Sequence, residues 1–319
     1  MIRQVLAGLV LPLAVSVYAC DQCSCGLLLG VQPKDHANNF GLQWRMRYLR
    51  GDLMAVGPEL LVLKHGGAHG DAPHGTQASY IETYSVLEAR GEVWFTDRAS
   101  ATASIPVLSN FQSVDGVAHA DLQAVGDPML LVRYAVFGST SGLDTVRWRH
   151  RVTVGLGVKM PLGRSDVVQH GEELDHDLQP GSGTWDPLMS LEYMVRRRNW
   201  GAALGATARY NGERTDGYRM GHSGSLTAEV FRIIPLGSFK VLPSAGCYWE
   251  GALHDREHGV ADATTGGLVV FSHVGCRLWW HNLGMALTWQ HALRNDLGAS
   301  MVPNRNRYTA GVIYNFGQE

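Results

Sequence analysis

Alternation with a period of two is the feature that most limits what this chain can fold into. In "FGLQWRMRYLR" (40–50), Phe40, Leu42, Trp44, Met46 and Tyr48 fall on one face of a strand, and Gln43, Arg45 and Arg47 fall on the other. A soluble antiparallel sheet also alternates. Here the pattern recurs about twelve times, at 40–50, 79–90, 92–106, 127–137, 146–160, 184–196, 199–211, 223–234, 238–251, 267–280, 282–293 and 305–316. These lengths match or exceed the roughly 9–11 residues that a tilted strand needs to cross a membrane. Glu82 and Asp97 blur the phase of the second and third segments.

The connections alternate as well. Long, polar stretches rich in Gly, Asp and His occupy 51–78, 107–126, 161–183, 212–222, 252–266 and 294–304. Short links lie between them, near Gly91 and at "STSGLD", "RRN", "PLG" and "HN". Long loops on one side and tight turns on the other are the arrangement of an outer-membrane barrel. The fold class expected is all-β, a transmembrane antiparallel barrel of about 12 strands, with both termini on the short-turn, periplasmic side. The last strand ends "YNF". Tyr314 and Phe316 then face lipid at the periplasmic interface and complete a C-terminal pattern of the kind the barrel-insertion machinery reads.

Composition fits this reading. Glycine is frequent, at 38 residues, and charged residues are only 18%, as in an all-β chain with many tight turns. A formal net charge of −2 gives no footprint for nucleic acid. Residues 1–19 read as a signal peptide, with Arg3 in the n-region, the apolar run "VLAGLVLPLAVSV" and a small-residue cleavage site ending at Ala19. Residues 20–39 then form a cysteine-containing periplasmic segment and 40–316 the barrel, in the bacterial outer membrane. No stretch after residue 19 approaches the length of a transmembrane helix.

If the apolar rows face lipid, the opposite rows line the lumen. They hold Arg45, Arg47, Glu82, Arg133, Arg151, Lys159, Glu192, Arg209, Glu229, Lys240, Glu250, His273, Arg277 and Arg307. Both signs are present, so pairing across the lumen is expected, because unpaired charge there is costly unless hydrated. The row is either a salt-bridge network that fills a narrow barrel or a polar path for a small solute.

Three stretches carry side chains with chemistry of their own. "CDQCSC" supplies Cys20, Cys23 and Cys25. Converging thiolates bind copper or zinc, whereas an oxidising compartment favours a disulfide, and acylation of Cys20 is a further alternative. "KHGGAHGDAPHG" supplies His65, His69, Asp71 and His74, imidazoles suited to zinc, copper or nickel or simply solvated. "QHGEELDHD" sets Glu172, Glu173, Asp175 and Asp177 between His170 and His176, a cation site or a solvated acidic loop. Cys247 and Cys276 fall on apolar rows as small thiols. No G-x-S-x-G, Walker loop or H-E-x-x-H is present, so nothing points to an enzyme.

"GDP" (126–128), "KMPLGR" (159–164), "LQPGSGTWD" (178–186) and "TTGG" (264–267), with the cysteine-rich start and "GLQWRMRYLR", resemble a transporter family described as the "MetA-pathway of phenol degradation" group, over roughly 20–316. The resemblance implies an outer-membrane barrel that passes small organic or aromatic molecules. The His-rich first loop departs from that family and points toward a metal-linked role. Three functions therefore stand as expectations: a channel for a small solute, a copper- or zinc-handling or redox-linked surface protein, and a structural barrel with a plugged lumen. The partners expected are outer-membrane lipid, the insertion machinery and a small-molecule solute.

Overall fold

The structure, a computed structural model, describes residues 37–54, 77–138, 147–169, 171–299 and 301–317. Among these residues, twelve strands build one wall. They are β1 (Asn38–Met54), β2 (Gln77–Trp94), β3 (Ala99–Val114), β4 (Met129–Gly138), β5 (Arg149–Lys159), β6 (Asp186–Arg197), β7 (Trp200–Arg209), β8 (Ser223–Arg232), β9 (Phe239–Ala252), β10 (Gly267–Trp280), β11 (Leu283–Leu297) and β12 (Asn304–Phe316). Each pairs antiparallel with the next, and β12 pairs with β1 from Asn38–Phe316 upward. The sheet is therefore a closed barrel without an edge, one of the two ways a backbone can satisfy its polar groups inside a bilayer.

The period-two pattern sets the two faces. On β1, Phe40, Leu42 and Trp44 are exposed, while Asn39 and Arg47 are buried at 1% and 4% exposure. On β5 and β6, Leu156 and Met189 point out, whereas Thr153 and Met194 point in. In water, each large apolar side chain left outside would forfeit roughly 1.5–3 kcal/mol of burial free energy. In lipid the cost vanishes. Phe40, Phe95, Trp148, Trp200, Trp280, Tyr314 and Phe316 are all exposed and circle the short-turn end. The Arg197 and Arg232 guanidiniums lie 5.4 and 5.3 Å over the Trp148 and Trp200 rings. This is the aromatic girdle of an outer-membrane barrel with its cationic rim. Cys247 and Cys276 are free thiols on outward rows.

Three expected boundaries move. Gly91 lies inside β2, opposite Phe40 and Ala103, and the turn falls at 95–98 instead. There Thr96 Oγ1 accepts hydrogen bonds from the Arg98 and Ala99 amides, which fixes the turn chemically. The stretch 107–126 is not a loop. β3 continues to Val114, turns at Asp115–Gly116, and returns as a strand, Val117–Val125, paired with β3. Both turn residues have positive φ, 49° and 82°, which suits an Asp-Gly hairpin. β11 likewise runs to Leu297, beyond the expected end at 293. The link "STSGLD" lies outside the described residues.

Apolar clusters pack inside the barrel at each end. At the short-turn end, Met194, Phe231, Ile233, Leu242, Trp279 and Ile313 pack together inside the barrel. Two aromatics there fold over cross-strand glycines. Phe231 covers Gly201, and Trp279 covers Gly284, where a Cβ would come within 2.8 Å of the indole. At the long-loop end, the segment 161–183 folds inward. Its Val167, Leu174 and Leu178 pack on Leu49, Tyr80 and Tyr84.

Candidate functional site: the charged lumen and its chamber

Between the two clusters the interior is polar, and its charges meet in networks. Arg47 on β1 and Arg307 on β12 are direct cross-strand neighbours. Like charges so placed repel. Glu250, 1% exposed, resolves this by pairing with Arg47 and, at 2.7 Å, with Arg307. Arg307 also lies 4.9 Å over both the Tyr248 and Phe271 rings. It donates to Gln290, which bonds His273, and His273 Nε2 sits 3.4 Å from Glu229. Glu229 pairs with Arg277 at 3.2 Å. A second network crosses the opposite wall: Arg133 bridges Glu92 at 3.1 Å and Glu192 at 2.9 Å, and Arg151 also reaches Glu192 at 2.9 Å. Glu82 accepts from Gln112 at 2.8 Å and Tyr84 at 3.2 Å. Arg209 is buried, and Lys240 sits half-buried on the inward row at the foot of β9. Glu88, Arg90 and Arg196 are also buried charges and were not in the expected set. The β2 phase that carries Glu82 inward carries Glu88, Arg90 and Glu92 with it. A strand break at Gly91 hides that continuity.

A third network binds together the stretches "GDP", "KMPLGR" and "LQPGSGTWD". Lys159 Nζ lies 2.7 Å from Asp186 and 3.1 Å from Asp127. Asp127 accepts from the Gly163 and Ser182 amides at 2.9 and 2.7 Å and from the Ser182 hydroxyl. Asp186, 0% exposed, accepts from Thr184 Oγ1 at 2.6 Å and the Gly212 amide at 2.9 Å. Gln179 is fully buried as well. Its amide donates to the carbonyls of Val167 and Leu174, and its oxygen accepts from the Val167 amide. The carboxylates are thus nearly saturated with donors, as buried charge requires, and the infolded loop is clamped to the barrel mouth.

Beneath that loop is a chamber of about 60 Å³. Arg45, Arg47, Lys159, Arg209 and Arg307 reach it, against the carboxylates Asp127 and Asp177. Sheet register explains the grouping. Arg45 pairs with Val86, and Val86 with Leu108, forming one row. Arg307, Arg47, Tyr84 and Asn110 form the inward row two residues further up. Val86, Leu108 and Pro180 give the chamber an apolar side.

The metal candidates Cys20, Cys23, Cys25, His65, His69 and His74 lie outside the described residues, as do Asp71 and His170. Among the described residues, no group of three or more His, Cys, Asp or Glu side chains is arranged to hold an ion. The acidic stretch 169–177 is divided instead. His176 stacks on Tyr218, centroids 3.6 Å apart, with Arg214 Nη1 3.3 Å from its Nδ1. Burial, and then the Arg214 charge, hold the His176 pKa below its ordinary value. Tyr218 donates to Asp255 at 2.8 Å, and burial and that carboxylate raise its pKa.

No protein-family model matches the chain, and no curated protein sequence matches it significantly. Solved structures do. The COG4313 outer membrane channel from Pseudomonas putida F1 superposes with a TM-score of 0.58 at 13% identity, over 90% of this chain and 100% of that one. The β domain of the Bordetella autotransporter BrkA superposes with a TM-score of 0.50 at 13% identity, over 88% and 100%. Similarity at this identity is similarity of fold. With the apolar exterior and the aromatic girdle, it makes this chain a bacterial outer-membrane β-barrel.

Proposed function

We propose that the protein is a narrow outer-membrane channel for a small solute, with the inward charged rows as its path. The observation that carries this reading is the chamber. A barrel serving only as scaffold has no need of an internal cavity with five cationic side chains at its wall. The channel named in the Pseudomonas putida structure shares the fold and supports the same reading. The apolar cluster around Trp279 and Phe231 and the loop clamped by Lys159 favour a gated path over a wide pore. Purified protein in planar bilayers is expected to give small, discrete conductance steps. A heat-modifiable, folded barrel that never conducts, even with the Trp279 side chain removed, supports the structural-barrel alternative instead.

A further inference from the structure

We propose that the chamber is a binding site for a short monocarboxylate with an apolar tail. This rests on the channel reading and names its class of solute.

The charge of the lining comes first. Five cations face two carboxylates. Four of those cations are committed: Arg47 and Arg307 to Glu250, Lys159 to Asp127 and Asp186, and Arg209 to interactions of its own. Arg45 is not. It is half-buried at the chamber wall and makes no hydrogen bond or ion pair among the described residues. Its guanidinium offers a planar fork that matches a carboxylate. Arg307, on the adjacent row, has its Nε buried without an acceptor. One anion seated between the two rows satisfies both.

The apolar neighbours of Arg45 exclude a simple inorganic ion as the best fit. Val86 and Leu108 stand beside Arg45 in the same row, fixed there by strand register. They give an apolar surface within a side-chain length of the free guanidinium. A solute with a charged head and an alkyl tail covers both, whereas chloride leaves the apolar wall unused. Size narrows the class further. At roughly 10–15 Å³ per water-sized group, about 60 Å³ takes about four to six non-hydrogen atoms. Acids of the size of butyrate fit that space.

Butyrate and its neutral isostere butyramide are the probes, titrated calorimetrically into the purified barrel in detergent. Saturable butyrate binding is expected, weakened about tenfold or more for butyramide and for Arg45→Gln, the loss of one charge-assisted contact. Arg45→Lys is expected to retain part of the affinity. Leu108→Trp, which fills the chamber without changing its charge, is expected to abolish binding. Heat modifiability on gels shows that each variant is folded. Equal binding of butyrate and butyramide, or no butyrate binding by the folded wild type, overturns the proposal. Bilayer recordings separate it from the channel reading. Conductance without butyrate binding removes only the site, and binding without conductance removes only the channel.

Discussion

Lys159 holds its ammonium 2.7 Å from Asp186, and both side chains are almost wholly buried, at 5% and 0% exposure. This pair closes the end of β5 onto the start of β6 and brings Asp127 into the same cluster. Lys159→Met leaves two carboxylates buried without their cation. The expected loss is about 3–5 kcal/mol. It is read as a lower temperature for the gel shift between folded and unfolded barrel. Asp127→Asn is expected to cost less, because Lys159 keeps Asp186, although only one of the Gly163 and Ser182 amides then retains an acceptor. Equal shift temperatures for wild type and Lys159→Met would show the cluster to be dispensable.

Glu250 separates two arginines that face each other across the β1–β12 seam. Glu250→Gln is expected to destabilise the barrel by about 3–5 kcal/mol, since Arg47 and Arg307 then repel in a buried setting. Adding Arg47→Met to that variant is expected to recover a substantial part. A double-mutant cycle on unfolding by denaturant measures the coupling, and additive losses would contradict the pairing.

Trp279 lies over Gly284 within the apolar cluster at the short-turn end. Trp279→Ala removes the largest side chain of that cluster and is expected to raise single-channel conductance. A conductance unchanged from wild type places the constriction elsewhere.

Tyr314 and Phe316 sit on the lipid side of the closing strand, opposite Phe40 and Asn38. Replacing both with alanine is expected to reduce the amount of heat-modifiable protein in the outer membrane. Immunoblots of fractionated cells test this, and wild-type levels would show the aromatic end to be incidental.

At the long-loop end the His222 pKa is held below its ordinary value by burial, and so is that of His176. Its folded-state pKa is held below the ordinary 6.5, so the neutral ring stabilises the fold. That contribution is complete above the unfolded value and is lost as pH falls through the folded one. Segments 161–183 and 212–222 are therefore expected to become more sensitive to protease as pH drops below 6.5. His176→Phe keeps the stack on Tyr218 and is expected to reduce that dependence, leaving the part due to His222.

The sequence by itself determined the barrel, the strand count, the sidedness of the loops and, for most strands, which residues face in. Each follows from periodicity and connection length: a side chain on a strand points to one face or the other, so phase alone places Phe40 outside and Arg47 inside. Where phase was blurred, as around Gly91, the boundary slipped and Glu88, Arg90 and Glu92 were passed over. The hairpin at Asp115–Gly116 carried a readable turn signal. Its returning strand, Val117–Val125, does alternate, with Ala118, Ala120, Leu122 and Ala124 on one row and His119, Asp121 and Gln123 on the other, but that apolar row is mostly alanine and packs on the interior side rather than facing lipid. Tertiary structure alone decided which inward charges meet. Glu250 reaches Arg47 and Arg307, and Lys159 joins Asp127 to Asp186, because closure and register bring distant strands to one level of the lumen. Period two says nothing about level. The apolar clusters at each end and the chamber beneath the folded loop also depend on that register, since a cavity is the space left when particular rows face one another.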